Sequence, residues 1–518
     1  MATIPSSAGA NQVPPLEGHD LFECNRPLVE ALEREGGGWA AERCSSFGRI
    51  LTGEPLEWGR LANENPPKLR THDRYGERID EVEFHPAWHD MMRLSLAHGL
   101  HSLSWTADRE GAHVARAALF VLAGQVEAGH GCPVSMTHAA VPALRTAAPH
   151  LAAEWEPLLT STVYGDGALC GMAMTERQGG SDVRVNTAAA RPIGGDEYSL
   201  DGAKWFCSAP MCDVFLVLAQ APGGLSCFLM PRGEGFHIQR LKDKLGDRSN
   251  ASSEIELEGA WARLVGEEGR GVRTILEMVV HTRLDCILGT TAAMRQAVEQ
   301  ATHHAAHRSA FGALLVDQPL MQNVLADLCL ESEAATVTAM RLARAYDRRA
   351  TDAREAAFAR IATAVAKYWI CKRGPGHAAE ALECLGGNGY VEESGMPRIY
   401  RQQPLQSIWE GSGNVVCLDV LRALRREPQS LEALLDEIAL AGDTALSRTA
   451  EQAAAEQDEA GARYAVERLA LALQASLLVR HAPAAVADAF RARTSVAYGT
   501  LPPTVDTAAI VERHRPTT

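Results

Sequence analysis

Lysine is almost missing: only six of the 50 basic residues are Lys, so the positive charge of this 518-residue chain is carried by Arg, the better phosphate fork. Aromatic residues are sparse at 6%, while Ala and Leu are dense, a composition that leans towards helix. No apolar run approaches the roughly 20 residues of a membrane span. The start, MATIPSSAGANQVPPLEGHD, has neither a basic n-region with an apolar core nor an Arg-rich character, so no leader is expected and the chain reads as cytoplasmic.

Paired cysteines are also absent. The twelve Cys stand singly, and the closest pair, Cys207 and Cys212, lacks zinc-ligand or thioredoxin spacing, so they read as reduced core thiols. No strand–G-x-G-x-x-G–helix unit and no P-loop lysine motif occurs. His303, His304 and His307 cluster without an accompanying acid, so no metal site is expected and a solvated helix face is the reading there. Acidic residues exceed basic ones by 15, which excludes polyanion binding by bulk charge. The size excludes a stapled miniprotein and allows several packed cores.

What is present has a clear order. Residues 1–20 are rich in Pro, Ser and Gly and read as a loose arm. Helical periodicity runs from about 21 to 160, as in ALFVLAGQVEAG. Between 166 and 266 the short apolar runs LCGMAM, VFLVLAQ, LSCFLM and SSEIELE are strand signals, and Asp201-Gly202 suggests a type I′ hairpin turn. From 267 to 426 the helical period returns, with stripes at Val272, Ile275, Leu276 and Val279 and at Leu320, Val324, Leu325 and Leu328. After Pro428, 430–492 reads as two or three further helices, followed by an irregular tail. The expected domains are 1–165, 166–266, 267–426 and 427–518.

Three segments carry chemistry. MAMTERQGGSD (172–182) closes a strand with the hydroxyls of Thr175 and Ser181 and with Gly179 and Gly180, which permit close backbone approach. KWFCSAP (204–210) sets Trp205 near Ser208, a pairing that could hold a heteroaromatic ring. SIWEGSGN (407–414) places one carboxylate, Glu410, between a Trp and a Gly-rich turn, where partial burial suits a general base. Singly, each reads more readily as an ordinary turn, a core Trp or a helix-cap acid.

The combination is more specific. MTERQGGSD, KWFCSAP, RSAFG (308–312) with Gln318, LGGNGY (385–390) and IWEGSGN occur in this order, and the arrangement resembles the acyl-CoA dehydrogenase superfamily. RLANENPP (60–67), EVEFHPAWHDMM (81–92), LKDKLGDRSNASSEIE (241–256) and VAKYWICKRG (365–374) sharpen this to its AidB-like, adaptive-response branch. The resemblance covers residues 12–426.

It implies an α+β, mostly helical fold: an N-terminal helical domain, a central β-sandwich or barrel and a C-terminal helical bundle, here with an extra helical domain. It implies bound FAD. Met172, Met174, Thr175, Gly180, Ser181, Phe206, Cys207 and Ser208 would hold the isoalloxazine. Ile408, Trp409, Gly411, Ser412, Gly413 and Asn414 would line its other side. Arg308, Gln318, Gly386 and Gly387 would reach the FAD of a neighbouring subunit in a homotetramer. Glu383 departs from the Gln common in this family and weakens that contact. Glu410 matches the catalytic base, acyl-CoA would be the substrate and a soluble electron-transfer flavoprotein the acceptor. Trp409 either narrows the acyl pocket or points into the core.

The same branch is associated with binding double-stranded DNA during alkylation damage. Residues 338–373 hold nine basic residues against three acids, with Arg341, Arg344 and Arg348 at helical spacing, and Arg422, Arg425 and Arg426 add a second cluster. Such patches bind phosphate without reading sequence. A solvated helix face with local ion pairs explains them as well. The appendix, 427–518, is acidic.

Overall fold

The computed structural model describes residues 11–517; the first half of the expected N-terminal arm lies outside them. The fold is α+β and mostly helical. Contacts divide it into two compact units. One contains Glu54–Gly289 with Ser407–Val416. The other contains the described residues up to Gly53, Thr290–Gln406 and Cys417 onward.

In the first unit, helices occupy most of 54–159, but the expected all-helical stretch is interrupted by an antiparallel pair, β1 (Lys68–His72) and β2 (Arg78–Glu83). Seven strands follow: β3 (Cys170–Ala173), β4 (Ala189–Gly194), β5 (Glu197–Ser208), β6 (Val214–Ala221), β7 (Gly224–Pro231), β8 (Phe236–Leu241) and β9 (Ser252–Val265). Their order is β3-β5-β4-β6-β7-β9-β8, and further pairings of β3 with β6 and β5 with β9 tie the sheet back on itself. β6 is buried over six consecutive residues, as a strand covered on both faces must be.

One turn expectation is overturned. Asp201-Gly202 lies inside β5, where the pairing with β9 shifts register between Leu200 and Asp201. The shift is a bulge whose extra residue is Gly259 on β9 (φ 71°), while Gly202 pairs with Leu257 and lets β5 pass close to its neighbour: its φ is 142° and a Cβ would sit 2.7 Å from Ala188. The neighbouring reversal uses Gly194 and Gly195, between β4 and β5.

The second unit is helical. Gln318 precedes the Pro319–Arg348 helix, which is buried through most of its length, and Ala353–Cys384 runs beside it. The stripe expected from Leu320 is shorter than read, since Leu320 is exposed while Leu325 and Leu328 are buried. Leu276, on the Gly271–His307 helix, is likewise largely exposed. The appendix holds four helices, Pro428–Ala439, Thr444–Ala455, Ala462–His481 and Ala484–Ala492. The tail expected to be irregular ends in a fifth, Thr507–His514, anchored by Arg513 on Glu30 and Glu333.

All twelve cysteines are free and buried. Burial pushes the thiols of Cys44, Cys170 and Cys207 up to about 12. Among the described residues no helix is long and apolar enough to cross a membrane.

Candidate active site

Glu410 follows the half-buried Trp409 and precedes the Gly413–Arg426 helix. Its φ is 57°, a left-handed conformation that a non-glycine residue adopts only when its surroundings impose it. The imposing contact is Arg283, whose Nε donates to the Glu410 carbonyl oxygen at 2.9 Å. Gly411 continues the turn at φ 105°, where a Cβ would meet the same guanidinium at 3.3 Å. Trp409 packs against the buried cluster of the β unit, as do Met172 and Met174, which favours the core-facing reading of this indole.

The thiol of Cys132 ties this turn to the sheet. Burial raises it to about 12, Lys244 opposes this, and the charges of Asp247 and Glu410 add to the rise. Cys132 in turn acts on Cys207, on β5 beside Phe206 and Ser208. Cys132 and Cys207 lie in the same buried cluster against which Trp409, the neighbour of Glu410, packs.

Met172 pairs with Ser208 across β3 and β5, and the Trp205 amide donates to the Thr175 carbonyl at 2.9 Å, so the first two motifs are stitched together. Glu176 fixes the loop between them: it accepts from the amides of Thr187 and Ala188 and from buried Lys204 Nζ at 2.8 Å. Gly180 and Ser181 are exposed, Thr175 and Ser208 half-exposed. Phe206 is 50% and Ile408 60% exposed, unusual for side chains of this size. Ser412 is half-exposed and Asn414 exposed, whereas Gly413 is buried. Cys207, also expected to hold the ring, has its side chain fully buried in the sheet core.

The helical unit holds a separate concavity of about 370 Å³, lined by His304, Arg308, Met321, Glu383, Gly386 and Asn388 among others. Gly386 (φ 60°) and Gly387 have open space where a Cβ would stand, a cradle that admits a ligand to the backbone. Gln318 Nε2 donates to the Ala310 carbonyl at 2.8 Å, and Arg308 donates to the Asn11 carbonyl. Glu383 brings a carboxylate to the same wall.

The basic stretch fares differently. Arg341 is only 6% exposed and is held by Glu355 and Glu437, each at 2.8 Å, so it is withdrawn from any phosphate surface. Helical spacing alone could not show that two carboxylates, one of them in the appendix, converge on it. Arg344 lies 3.5 Å from Glu35, and Arg348 is half-exposed. Arg422, Arg425 and Arg426 are exposed; Arg422 lies near Asp419 and Arg425 donates to the Gln457 carbonyl. Of the solvated face expected at His303, His304 and His307 only His307 is exposed; His303 and His304 are buried, and His303 Nε2 bonds to the Pro14 carbonyl. A different histidine group, His113, His138 and His281, comes together from three helices. No sequence spacing announces it.

Comparison with known proteins agrees with this architecture. Residues 11–166 match the adaptive response protein AidB N-terminal domain, 171–260 the acyl-CoA dehydrogenase middle domain and 269–425 the acyl-CoA dehydrogenase C-terminal domain. The chain is 50% identical over 434 residues to the Escherichia coli (strain K12) protein named "Putative acyl-CoA dehydrogenase AidB", covering 80% of each chain. It is 33% identical over 410 residues to acyl-CoA dehydrogenase family member 11 of Caenorhabditis elegans, covering 73% of this chain and 66% of that one. The solved structure of Caenorhabditis elegans ACDH-11 in complex with C11-CoA superposes with a TM-score of 0.87 at 27% identity, over 99% of this chain and 93% of that one. By domain order, by sequence and by fold, the chain belongs to the acyl-CoA dehydrogenase family, in its AidB-like branch.

Proposed function

We propose that this protein is an FAD-dependent dehydrogenase that desaturates an acyl-CoA thioester across Cα–Cβ, with Glu410 as the base. The observation that carries the reading is the left-handed backbone of Glu410, fixed by Arg283, beside an indole packed on the buried cluster of the sheet. A carboxylate on a strained backbone, held by a buried cation, is expected where geometry matters more than local stability.

Bound FAD would supply the hydride acceptor. The open, partly apolar side chains Phe206 and Ile408 and the hydroxyls of Thr175 and Ser181 suit a flat heteroaromatic ring with polar edges. The Gly386–Gly387 cradle with Arg308 suits the pyrophosphate of a neighbouring subunit's FAD, with Gln318 bonded to Ala310 in its wall. Glu383 opposes that anion and weakens the fit at one point. Glu410 would remove the α-proton, and the thioester carbonyl needs donors that strengthen as charge develops on it. A soluble electron-transfer flavoprotein would accept the electrons.

A homotetramer is part of the reading. Phe311, fully exposed at φ 53° on the tip of the Ser309–Leu314 hairpin, stands out with Leu320 and Tyr390 as apolar surface that a second subunit would cover.

The test is an anaerobic absorption spectrum of the FAD-loaded protein before and after a short branched acyl-CoA. Rapid bleaching of the flavin band, abolished in Glu410→Gln, is the expected result. A flavin that stays oxidised with all chain lengths would overturn it.

The DNA-binding reading rests on Arg422, Arg425 and Arg426, exposed within two turns of one helix end. Affinity for duplex DNA should then fall steeply with salt, and reversing these three charges should remove it. Unchanged affinity in the reversed variant would end this reading.

A further inference from the structure

We propose that His113, His138 and His281 form a three-imidazole site for Zn(II) or a similar divalent first-row metal ion. They come from three helices of the β-containing unit: His113 from Ala112–Val126, His138 from Gly131–Ala147 and His281 from the first turns of Gly271–His307. One ring nitrogen from each lies within 4.8 Å of the others, and the ring centroids are 5.6–5.9 Å apart. A tetrahedral ion with nitrogen ligands at about 2.0–2.1 Å brings such atoms to about 3.3 Å from one another. Closing that gap needs each nitrogen to move inward by no more than about 1 Å.

The surroundings resemble those of a metal ligand set. His138 Nδ1 faces the His101 carbonyl oxygen at 3.2 Å, and a carbonyl only accepts, so Nδ1 carries the proton and Nε2 keeps its lone pair. The Trp105 indole covers the group, stacked on His138 and edge-on to His113 and His281. It is itself fixed by its Nε1 donating to the His138 carbonyl at 3.0 Å.

Charge is managed one helical turn away. Arg116 follows His113 and Asp285 follows His281, and the two pair with each other through both guanidinium nitrogens. That pair neutralises itself beside the pocket. A dication there would therefore keep an anionic fourth ligand, such as hydroxide or chloride. The site is also connected to the turn at Glu410, because Arg283 lies two residues beyond His281 on the same helix.

The experiment uses the untagged, full-length, FAD-loaded protein after chelator treatment. Co(II) is titrated in, and its visible absorption is read beyond the flavin bands. The expected result is a tetrahedral Co(II) band saturating at one ion per subunit and displaced by Zn(II), with affinity weakened about tenfold or more in His138→Gln and in His281→Gln. X-ray absorption of the Zn(II)-loaded wild type should show a shell of three imidazoles. This measurement does not depend on how the variants fold. Absence of a saturable band, equal affinity in both variants and wild type, or a zinc shell containing sulfur would each overturn the proposal.

Discussion

Arg283 holds Glu410 by its backbone: the guanidinium Nε donates to the Glu410 carbonyl oxygen at 2.9 Å. The orientation of the proposed base is thus set through the main chain. Arg283→Ala should lower unfolding stability by about 1.5–3 kcal/mol, the range for a hydrogen bond to a charged group. It should also slow flavin reduction by acyl-CoA much more than it weakens acyl-CoA binding, which stopped-flow absorbance separates. An unchanged reduction rate would remove Arg283 as a positioning residue.

Gly387 offers a cleaner probe of the cofactor cradle. Its φ is ordinary and nothing lies near its missing Cβ, so Gly387→Leu should fold normally yet fill the cavity with Arg308 and Gly386. Flavin retained per subunit should fall severalfold at an unchanged unfolding temperature of the flavin-free protein. Full flavin occupancy would show that the cradle serves something else.

Asp247 bears on pH. It is buried at φ 47°, and neither carboxylate oxygen has a hydrogen-bond partner among the described residues. Burial raises its pKa to about 7, helped by the charge of Glu127 and opposed by Lys244. The ordinary value is 3.8, so the folded state holds the proton more tightly than the unfolded one. This group is therefore without cost below pH 4 and increasingly destabilising as pH rises from about 4 to 7. Asp247→Asn keeps the φ and the size while removing the charge. Its unfolding temperature should exceed wild type at pH 8 and match it at pH 4; equal values at both would sink the argument.

Glu331 has the opposite sign. Burial pushes its pKa up, but Arg493 and Arg373 prevail and bring it to about 2, against an ordinary 4.5. Its stabilising contribution is complete above pH 4.5 and is lost as pH falls from there towards 2. Glu331→Gln should flatten the acid limb of the unfolding curve and, by removing the buried carboxylate that Arg373 and Arg493 share, cost about 3–5 kcal/mol at pH 7. Acid titration followed by circular dichroism measures both.

Much of this molecule is legible in its residues. LCGMAM, VFLVLAQ, LSCFLM and SSEIELE form β3, β6, β7 and β9, because alternating or continuous β-branched and apolar runs bounded by Gly and Pro have few other uses. Glu410 is singled out only by the order of the motifs around it, because its own segment reads as readily as a helix-cap acid. What cannot be read is set by distant partners. Asp201-Gly202 has the chemistry of a turn and the position of a strand segment facing a bulge, and only the register with β9 decides between them. Arg341 lies on a basic stripe by spacing and in a carboxylate clamp by packing. His113, His138 and His281 carry no local signal, because helix packing alone brings them together.

The burial of every cysteine gives the protein a built-in reporter of its own opening. A thiol held at a pKa of about 12 and shut away from solvent reacts with an electrophile only when its surroundings open. The charge of Glu410 reaches Cys132, Cys132 in turn acts on Cys207, and Cys384 stands in the wall of the glycine cradle. The order in which an alkylating agent marks these thiols is therefore a map of which region breathes first, read from side chains the protein already carries.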